Sequence, residues 1–484
     1  MNVSDIKLFL PEIVLIFGSI LILLNGIFFK TSEESNKKIL YITLISLFVS
    51  FYCTFYVVDI GQSLFNNFLS NDSFTIFFKF IIFFGTIVIT YISYDYLKDL
   101  NIFKPEFFFL IILSLVGILI LISSRNIISM YIGLELQAVC LYILAAYRKY
   151  DIKSSESGVK YFIMGALSSA ILLYGLSIIY AFTNSVDFYE ISNSLNLSIN
   201  KNENFLIINV GFVLILTGLF FKIAVVPFHM WAPDVYEGSP TPITAFFTTI
   251  PKIGAICFLI KFLNIPFESY YNGWFQILYL VSIASMILGS IAAINQNNIK
   301  RLLAYSSINH MGFILIGILV DSHLGIKSVQ LYVLIYTINI LGIFTCILCL
   351  KNKPNGNYLE NISDFSGLLK RNAFLSFSFA ILLFSLAGLP PLSGFFGKLY
   401  ILISAVDKKL YFLAVIAVIT SIISAYYYLK IIKVMFFDNI KINIHTKISF
   451  TSKLIILTSI VVSISIIVFV SELLEIISST SIIN

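Results

Sequence analysis

The chain has 484 residues, 59% of them hydrophobic and only 12% charged, with a formal net charge of +6 and a mean hydropathy of +0.96. A soluble globule lacks the interior to hide that much apolar surface, so a water-soluble enzyme or nucleic-acid-binding domain is excluded and the chain belongs in a bilayer. A helix needs about 20 apolar residues to cross ~30 Å of hydrocarbon.

Fourteen apolar runs of that order follow one another, at about 8–29, 38–58, 74–94, 106–123, 127–146, 159–182, 205–226, 242–263, 275–294, 302–320, 328–350, 373–402, 410–436 and 454–474. No stretch shows the two-residue alternation of membrane-barrel strands, so the fold class is an all-α polytopic membrane protein. Span one has only Lys7 ahead of it and no small-residue cleavage site, and reads as a retained helix rather than a signal peptide.

Span three carries Lys79 about five residues from its start. Snorkelling to the headgroups or a structural pairing explains it, with a place in a proton relay as the alternative. Span five (NIISMYIGLELQAVCLYILAAY) holds Glu135, the one carboxylate deep within an otherwise uncharged span. An isolated carboxylate there is either protonated or paired, so a partner is expected, and Lys222 is the chosen one.

Span seven runs into LTGLFFKIAVVPFHMWAPDVYEGSPTP, where Pro227 offers no amide hydrogen to the Ile223 carbonyl. The helix should break beside Lys222, and broken helices at membrane depth are tolerated only against protein or a wet cavity, as at transporter ion sites. His229 stands just beyond, where a structural hydrogen bond and proton entry are both open. Asp234 and Glu237 are read as facing water or capping helices.

Span eight (FFTTIPKIGAICFLI) places Lys252 after Pro251, near its centre and with no acidic residue on the helix. Span ten (AYSSINHMGF) places His310 near Ser306, Ser307 and Asn309, either as a satisfied core histidine or as a relay member. Span twelve (FSLAGLPPLSGFFGKLYIL) repeats the arrangement of span seven: Pro390, Pro391, Gly388, Gly394 and Gly397 interrupt it, and Lys398 follows. Each basic residue at the bilayer centre costs about 2.5–3.5 kcal/mol on insertion scales, so Lys79, Lys222, Lys252 and Lys398 all require a reason.

The other basic residues divide by side. Twenty of the 31 fall on the face that receives the ends of the odd-numbered spans, including Lys30, Arg148, Lys149, Lys160, Lys300, Arg301, Lys351, Lys353 and Lys441. Seven (Lys7, Arg125, Lys201, Lys261, Lys327, Lys408, Lys409) fall on the other. The positive-inside rule then places both termini outside.

All five cysteines (Cys53, Cys140, Cys257, Cys346, Cys349) lie inside apolar runs, where they behave as small hydrophobes. The Cys346/Cys349 pair has no neighbouring ligands, so no metal or redox site is expected. There is no phosphate-binding loop or iron–sulfur cysteine cluster, and the largest interruptions, about 183–204 and 351–372, are too short for a dinucleotide-binding unit. No cofactor is expected in this chain, and the energy for any transport must come from a partner or an ion gradient.

The two break-plus-lysine elements lie five spans apart, and an odd offset gives two copies opposite orientations, the logic of inverted repeats. RNIISMYIGLELQ in span five and NNIKRLLAYSSIN opening span ten echo the same offset. The segments KIAVVPFHMWAPDVYEGSPTPITAFF, IKRLLAYSSINHMGF and AGLPPLSGFFGKLYIL resemble hallmark segments of the antiporter-like, proton-translocating membrane subunits of respiratory NADH-quinone oxidoreductase (complex I). The resemblance spans essentially the whole chain.

It implies fourteen helices, with helices 1–3 in 1–104, a first five-helix repeat in 105–265, a second, inverted one in 266–437, and helix 14 in 438–484. It also implies a charged axis of Glu135, Lys222, Lys252 and Lys398, read respectively as modulator, proton-loading residue, central relay and outlet, with His229, His310 and Lys79 as possible additions. Lysine rather than glutamate at 398 speaks against the M-type branch, and an end at Asn484 without a lateral helix speaks against the L-type, which leaves the N-type.

FMN, iron–sulfur clusters and quinone are then expected in partner subunits, with other complex I membrane subunits and the lipid bilayer as partners. The implied location is the bacterial inner (plasma) membrane rather than the mitochondrial one, whose versions are generally shorter. A subunit of a multisubunit cation/proton antiporter is the alternative, and a purely structural scaffold is a third reading. Lys252 is expected to lie in space between Lys222 and Lys398.

Overall fold

A computed structural model describes residues 3–28, 32–56, 63–65, 67–201, 205–352, 358–440 and 444–480. The expected span ends at 29 and 57–58, the basic residues Lys30, Lys353 and Lys441, and Asn484 lie outside the described residues.

Span one is α1 (Val3–Leu8) with α2 (Leu10–Phe28), and spans two to six are α3 (Glu33–Tyr56), α4 (Ser73–Asp99), α5 (Pro105–Ser123), α6 (Ile127–Ala145) and α7 (Ile152–Thr183). A further helix, α8 (Phe188–Lys201), follows. Span seven is α9 (Phe205–Ile223) and α10 (Trp231–Gly238), and span eight is α11 (Thr241–Thr248) and α12 (Ile250–Asn264). Spans nine to eleven are α13 (Tyr271–Ile294), α14 (Ile299–Leu319) and α15 (His323–Leu348). Span twelve is α16 (Ala373–Ala387) and α17 (Ser393–Asp407), and α18 (Tyr411–Phe437) and α19 (Phe450–Ser478) complete the set.

Thirteen helical segments among the described residues are long and apolar enough to cross a membrane. The fourteenth crossing is the α16/α17 pair, whose halves are each too short to count alone. The expected breaks are present: Ile223 to Trp231 around Pro227, and Ala387 to Ser393 around Pro390 and Pro391. Helix α8 was not expected, because its Ser and Asn content reads as linker. It buries Phe188, Ile191 and Leu195 on one side, at helical spacing.

Matching helix pairs of the two halves pack backbone to backbone. A Cβ placed on Gly117 of α5 would lie 2.7 Å from the Gln137 amide nitrogen of α6, and one on Gly289 of α13 would lie 2.6 Å from the Asn309 nitrogen of α14. Small residues permit this approach where lipid supplies no hydrophobic drive. Asn126 and Asn298 cap α6 and α14 and form equivalent bridges, Asn126 with Asp187 and Asn298 with Asn361. Gly289, Asn298 and Asn309 follow Gly117, Asn126 and Gln137 by one constant offset.

On the basic-rich side, β3 (Leu350–Asn352) pairs with β4 (Ile444–Thr446) and ties the segment after α15 to the segment before α19. A short ribbon, β1 (Ser63–Leu64) with β2 (Leu69–Ser70), precedes α4. At the span-twelve break Gly388 is left-handed (φ 85°), and a Cβ there would lie 2.8 Å from Lys398 Cδ. Gly388→Ala therefore combines a left-handed L-residue, worth about 1–2 kcal/mol, with a clash, and should lower the unfolding midpoint in detergent. An unchanged midpoint would show that the break tolerates a side chain.

Candidate functional site

Three proline breaks organise the site. In span seven Lys222 occupies the last turn of α9, half-buried, and its Nζ lies 3.5 Å from Ser169 Oγ on α7. Beyond it Ala224 is left-handed (φ 58°), the Val226 amide donates to Ser285 Oγ (3.0 Å), and Trp231 Nε1 donates to the Phe221 carbonyl (2.9 Å). These bonds hold the chain on both sides of the break at Pro227. Trp231 stacks on Tyr161 at 4.5 Å and meets Tyr236 edge-on at 5.9 Å.

Span eight holds a break that was not predicted, at Thr249, between α11 and α12. Its signal was Pro251, which cannot donate to the Phe247 carbonyl. Tyr236 Oη donates to that carbonyl instead (3.0 Å), and Tyr336 Oη donates to the Thr248 carbonyl (3.3 Å). Lys252 sits just past the break, 1% exposed. Its Nζ donates to Ser307 Oγ on α14 (2.8 Å) and lies 5.4 Å from the Tyr236 ring centre. It forms no ion pair among the described residues.

Span twelve follows the same rule. Pro391 has no N–H for the Ala387 carbonyl, and Lys398 Nζ donates there (2.9 Å), 5.3 Å from the Phe313 ring centre. Asn339 bridges the two sides of the break through Ser385 (3.0 Å) and Ser393 (3.3 Å). Ser463 of α19 donates to the Asn339 amide oxygen (2.6 Å).

His310 joins the second and third breaks. Its Nδ1 is 2.7 Å from Tyr332 Oη and its Nε2 is 3.1 Å from Tyr428 Oη, which also bonds Ser306. The imidazole is thus bracketed by two hydroxyls. A cavity of about 10 Å³ between His310 and Lys398, lined also by Tyr332, Tyr336, Asn339 and Ser385, matches the ~10–15 Å³ that one water needs. Ser307, His310 and Phe313 recur every third residue along α14, on one face. That face presents Lys252, then the histidine, then Lys398, while Tyr236, Trp231 and Tyr161 lie on the side of Lys252 toward span seven.

Glu135 on α6 corrects an expectation. No salt bridge joins it to Lys222: its Oε1 is buried without a hydrogen-bond partner, although its charge reaches Lys222. The physical reason is its position on α6, beside an exposed apolar stripe of Ile132, Val139 and Ile143, with α7 presenting Ser169 to the lysine. His229 is buried with Nδ1 unpartnered.

Asp234 and Glu237 do not simply face water. Asp234 pairs with Lys160 (2.9 Å) and Arg301 (2.8 Å), and Glu237 with Lys153 (3.1 Å) and Arg301 (3.2 Å). They join α7, α10 and α14.

Lys79 lies apart from this row. Its Nζ pairs with Glu12 of span one (2.8 Å) and donates to Asn71 (3.0 Å). Nearby, Lys261, assigned above to the surface, is 1% exposed and pairs with Asp72 (3.4 Å). Glu12 is a second buried carboxylate that the sequence reading passed over. Its position close behind the start of span one, on the same side of the membrane as Lys79, was the available signal.

Residues 124–424 match the family model described as "NADH:quinone oxidoreductase/Mrp antiporter, TM". The chain belongs to this family. Among its relatives, "NADH-quinone oxidoreductase subunit N" of Pelagibacter ubique is 43% identical over 484 residues, covering 99% of this chain and 100% of that one. "NADH-quinone oxidoreductase subunit N 1" of Rhizobium meliloti is 42% identical, covering 90% and 89%.

A chain of respiratory complex I from Thermus thermophilus with bound aureothin superposes with a TM-score of 0.80 at 25% identity, covering 97% of this chain and 100% of that one. A chain of the Mrp complex from Dietzia sp. superposes at 0.83 but is 18% identical, covering 99% and 97%, and shares the fold.

Glu12→Gln leaves Lys79 buried without its counter-charge, a change worth about 3–5 kcal/mol, and should lower the unfolding midpoint in detergent. Adding Lys79→Met to Glu12→Gln should recover much of the loss. A single Glu12→Gln variant as stable as the parent would show that the pair is not a clamp.

Proposed function

We infer that this chain is a proton-translocating membrane subunit of an NADH-quinone oxidoreductase, coupling electron transfer in partner subunits to proton movement across the bilayer. The observation that carries the reading is a row of buried and half-buried lysines held by hydroxyls and a carbonyl instead of carboxylates: Lys222 at Ser169, Lys252 at Ser307, and Lys398 at the Ala387 carbonyl. An ammonium that faces a carboxylate keeps its proton, whereas one that faces neutral acceptors can pass it on.

In this reading Lys222 loads the proton under the influence of Glu135, Lys252 is the central station, and Lys398 is the outlet or the link to a neighbouring subunit. His310 lies between the last two, and its bonds to Tyr332 and Tyr428 suit a relay. His229 is the candidate for proton entry. The residue equivalences at constant offset support two inverted units, 105–265 and 266–437, flanked by 1–104 and 438–484.

FMN, iron–sulfur clusters and quinone belong to partner subunits. The subunit N relatives are bacterial proteins, which supports a bacterial inner membrane, and the distribution of basic residues supports both termini on the periplasmic side. Those relatives match over nearly the whole chain and favour the oxidoreductase over a stand-alone cation/proton antiporter.

Lys252→Met keeps length and packing but cannot carry a proton. In the assembled complex in membrane vesicles it should cut NADH-driven proton pumping by about tenfold or more. Full pumping by an assembled Lys252→Met complex would defeat the relay. Glu135→Gln preserves shape and removes charge. It should reduce pumping and, through coupling, NADH oxidation, and wild-type coupled turnover would remove Glu135 from the scheme.

A further inference from the structure

Glu135 and Lys222 do not touch, and two hydroxyls lie between them. Tyr142 stands two turns after Glu135 on α6. Side chains on a helix lean toward its N-terminus, so the Tyr142 ring reaches back toward the carboxylate. Its hydroxyl is buried without a hydrogen-bond partner, as is Glu135 Oε1.

The hydroxyl rests over Gly165 of α7, where a Cβ would lie 2.1 Å from Oη. Ser169, which accepts from Lys222 Nζ, is one turn further along the same face of α7. The Tyr142 hydroxyl and the Ser169 hydroxyl are therefore neighbours on the α6–α7 contact. Tyr142 also lines a cleft of about 550 Å³ that includes Lys104, Glu106 and Tyr147 and opens on the basic-rich side.

We propose that Tyr142 and Ser169 are relay residues whose hydroxyls, together with water, carry the hydrogen-bonded connection between Glu135 and Lys222. The proposal rests on the relay reading above. As a proton leaves Lys222 Nζ it is accepted by Ser169 Oγ, which releases its own hydrogen to the next oxygen of the chain. Each following oxygen likewise gains one O–H and loses one, and the net result is one proton delivered to the Glu135 carboxylate. The reverse sequence reloads the lysine. Gly165 keeps the place of the tyrosine hydroxyl open.

The test uses the assembled complex in membrane vesicles, with assembly checked on native gels. Tyr142→Phe and Ser169→Ala each remove one hydroxyl and should slow NADH-driven proton pumping by about threefold to tenfold, with a changed solvent deuterium isotope effect. Ser169→Thr, which keeps the hydroxyl, should restore pumping, and Gly165→Ala should mimic Tyr142→Phe. Lys222→Met serves as the reference.

If Lys222→Met stops pumping while Tyr142→Phe and Ser169→Ala pump at the parent rate, the bridge is overturned and the relay stands. Equal losses in Ser169→Ala and Ser169→Thr with an unaltered isotope effect would mark a packing role and also overturn the bridge. Full pumping by Lys222→Met would overturn the relay reading itself.

Discussion

A carbonyl released inside a membrane must find another donor, and most of this site follows from that requirement. Water is scarce at that depth, so a backbone group freed by proline stays costly until some side chain reaches it. Pro251 frees the Phe247 carbonyl and Tyr236 takes it, and Pro391 frees the Ala387 carbonyl and Lys398 takes it. In span seven Trp231 and Ser285 hold the two sides of the gap. The side chains that repair the helices are the ones that surround or constitute the lysine row, so structural repair and candidate chemistry share the same atoms.

Five of the lysines set within the spans differ by partner. Lys79 and Lys261 face Glu12 and Asp72, which balances their charge and joins the first three spans to α12. Lys222, Lys252 and Lys398 face a serine, a serine and a carbonyl. Burial is nearly the same for Lys79 and Lys252, each 1% exposed, so depth alone does not separate the two groups. What differs is the partner, a carboxylate at Lys79 and a hydroxyl at Lys252.

Helix α14 brings the second and third breaks to one surface. Ser307, His310 and Phe313 share a face, so the distance from Lys252 toward Lys398 is measured in turns of a single rigid helix, about 5.4 Å each. Asn309, on the same helix, packs against Gly289 of α13, which fixes the rotation of α14 and hence the direction of that face. The Asn298–Asn361 bridge anchors its start. The equivalent face of α6 carries Glu135 and Tyr142, so the two matching helices of the repeats present different chemistry from the same architecture.

By itself the sequence determined the class, the number of crossings, the breaks beside Pro227 and Pro390–Pro391, and the four membrane-embedded lysines. Apolar run length, proline and intramembrane charge are local properties, and each has a cost that nearby residues cannot offset. It also carried the offset relating span five to span ten. Tertiary structure alone decided which lysines are paired: Glu12 meets Lys79 from another span, and no spacing rule connects residues so far apart in the chain. The same holds for the repair of span eight by Tyr236 and Tyr336, and for the placing of Ser169 rather than Glu135 at Lys222. Those outcomes depend on how helices rotate against one another, and that rotation is set by glycine contacts and capping bridges between separate spans, which no single stretch of sequence contains.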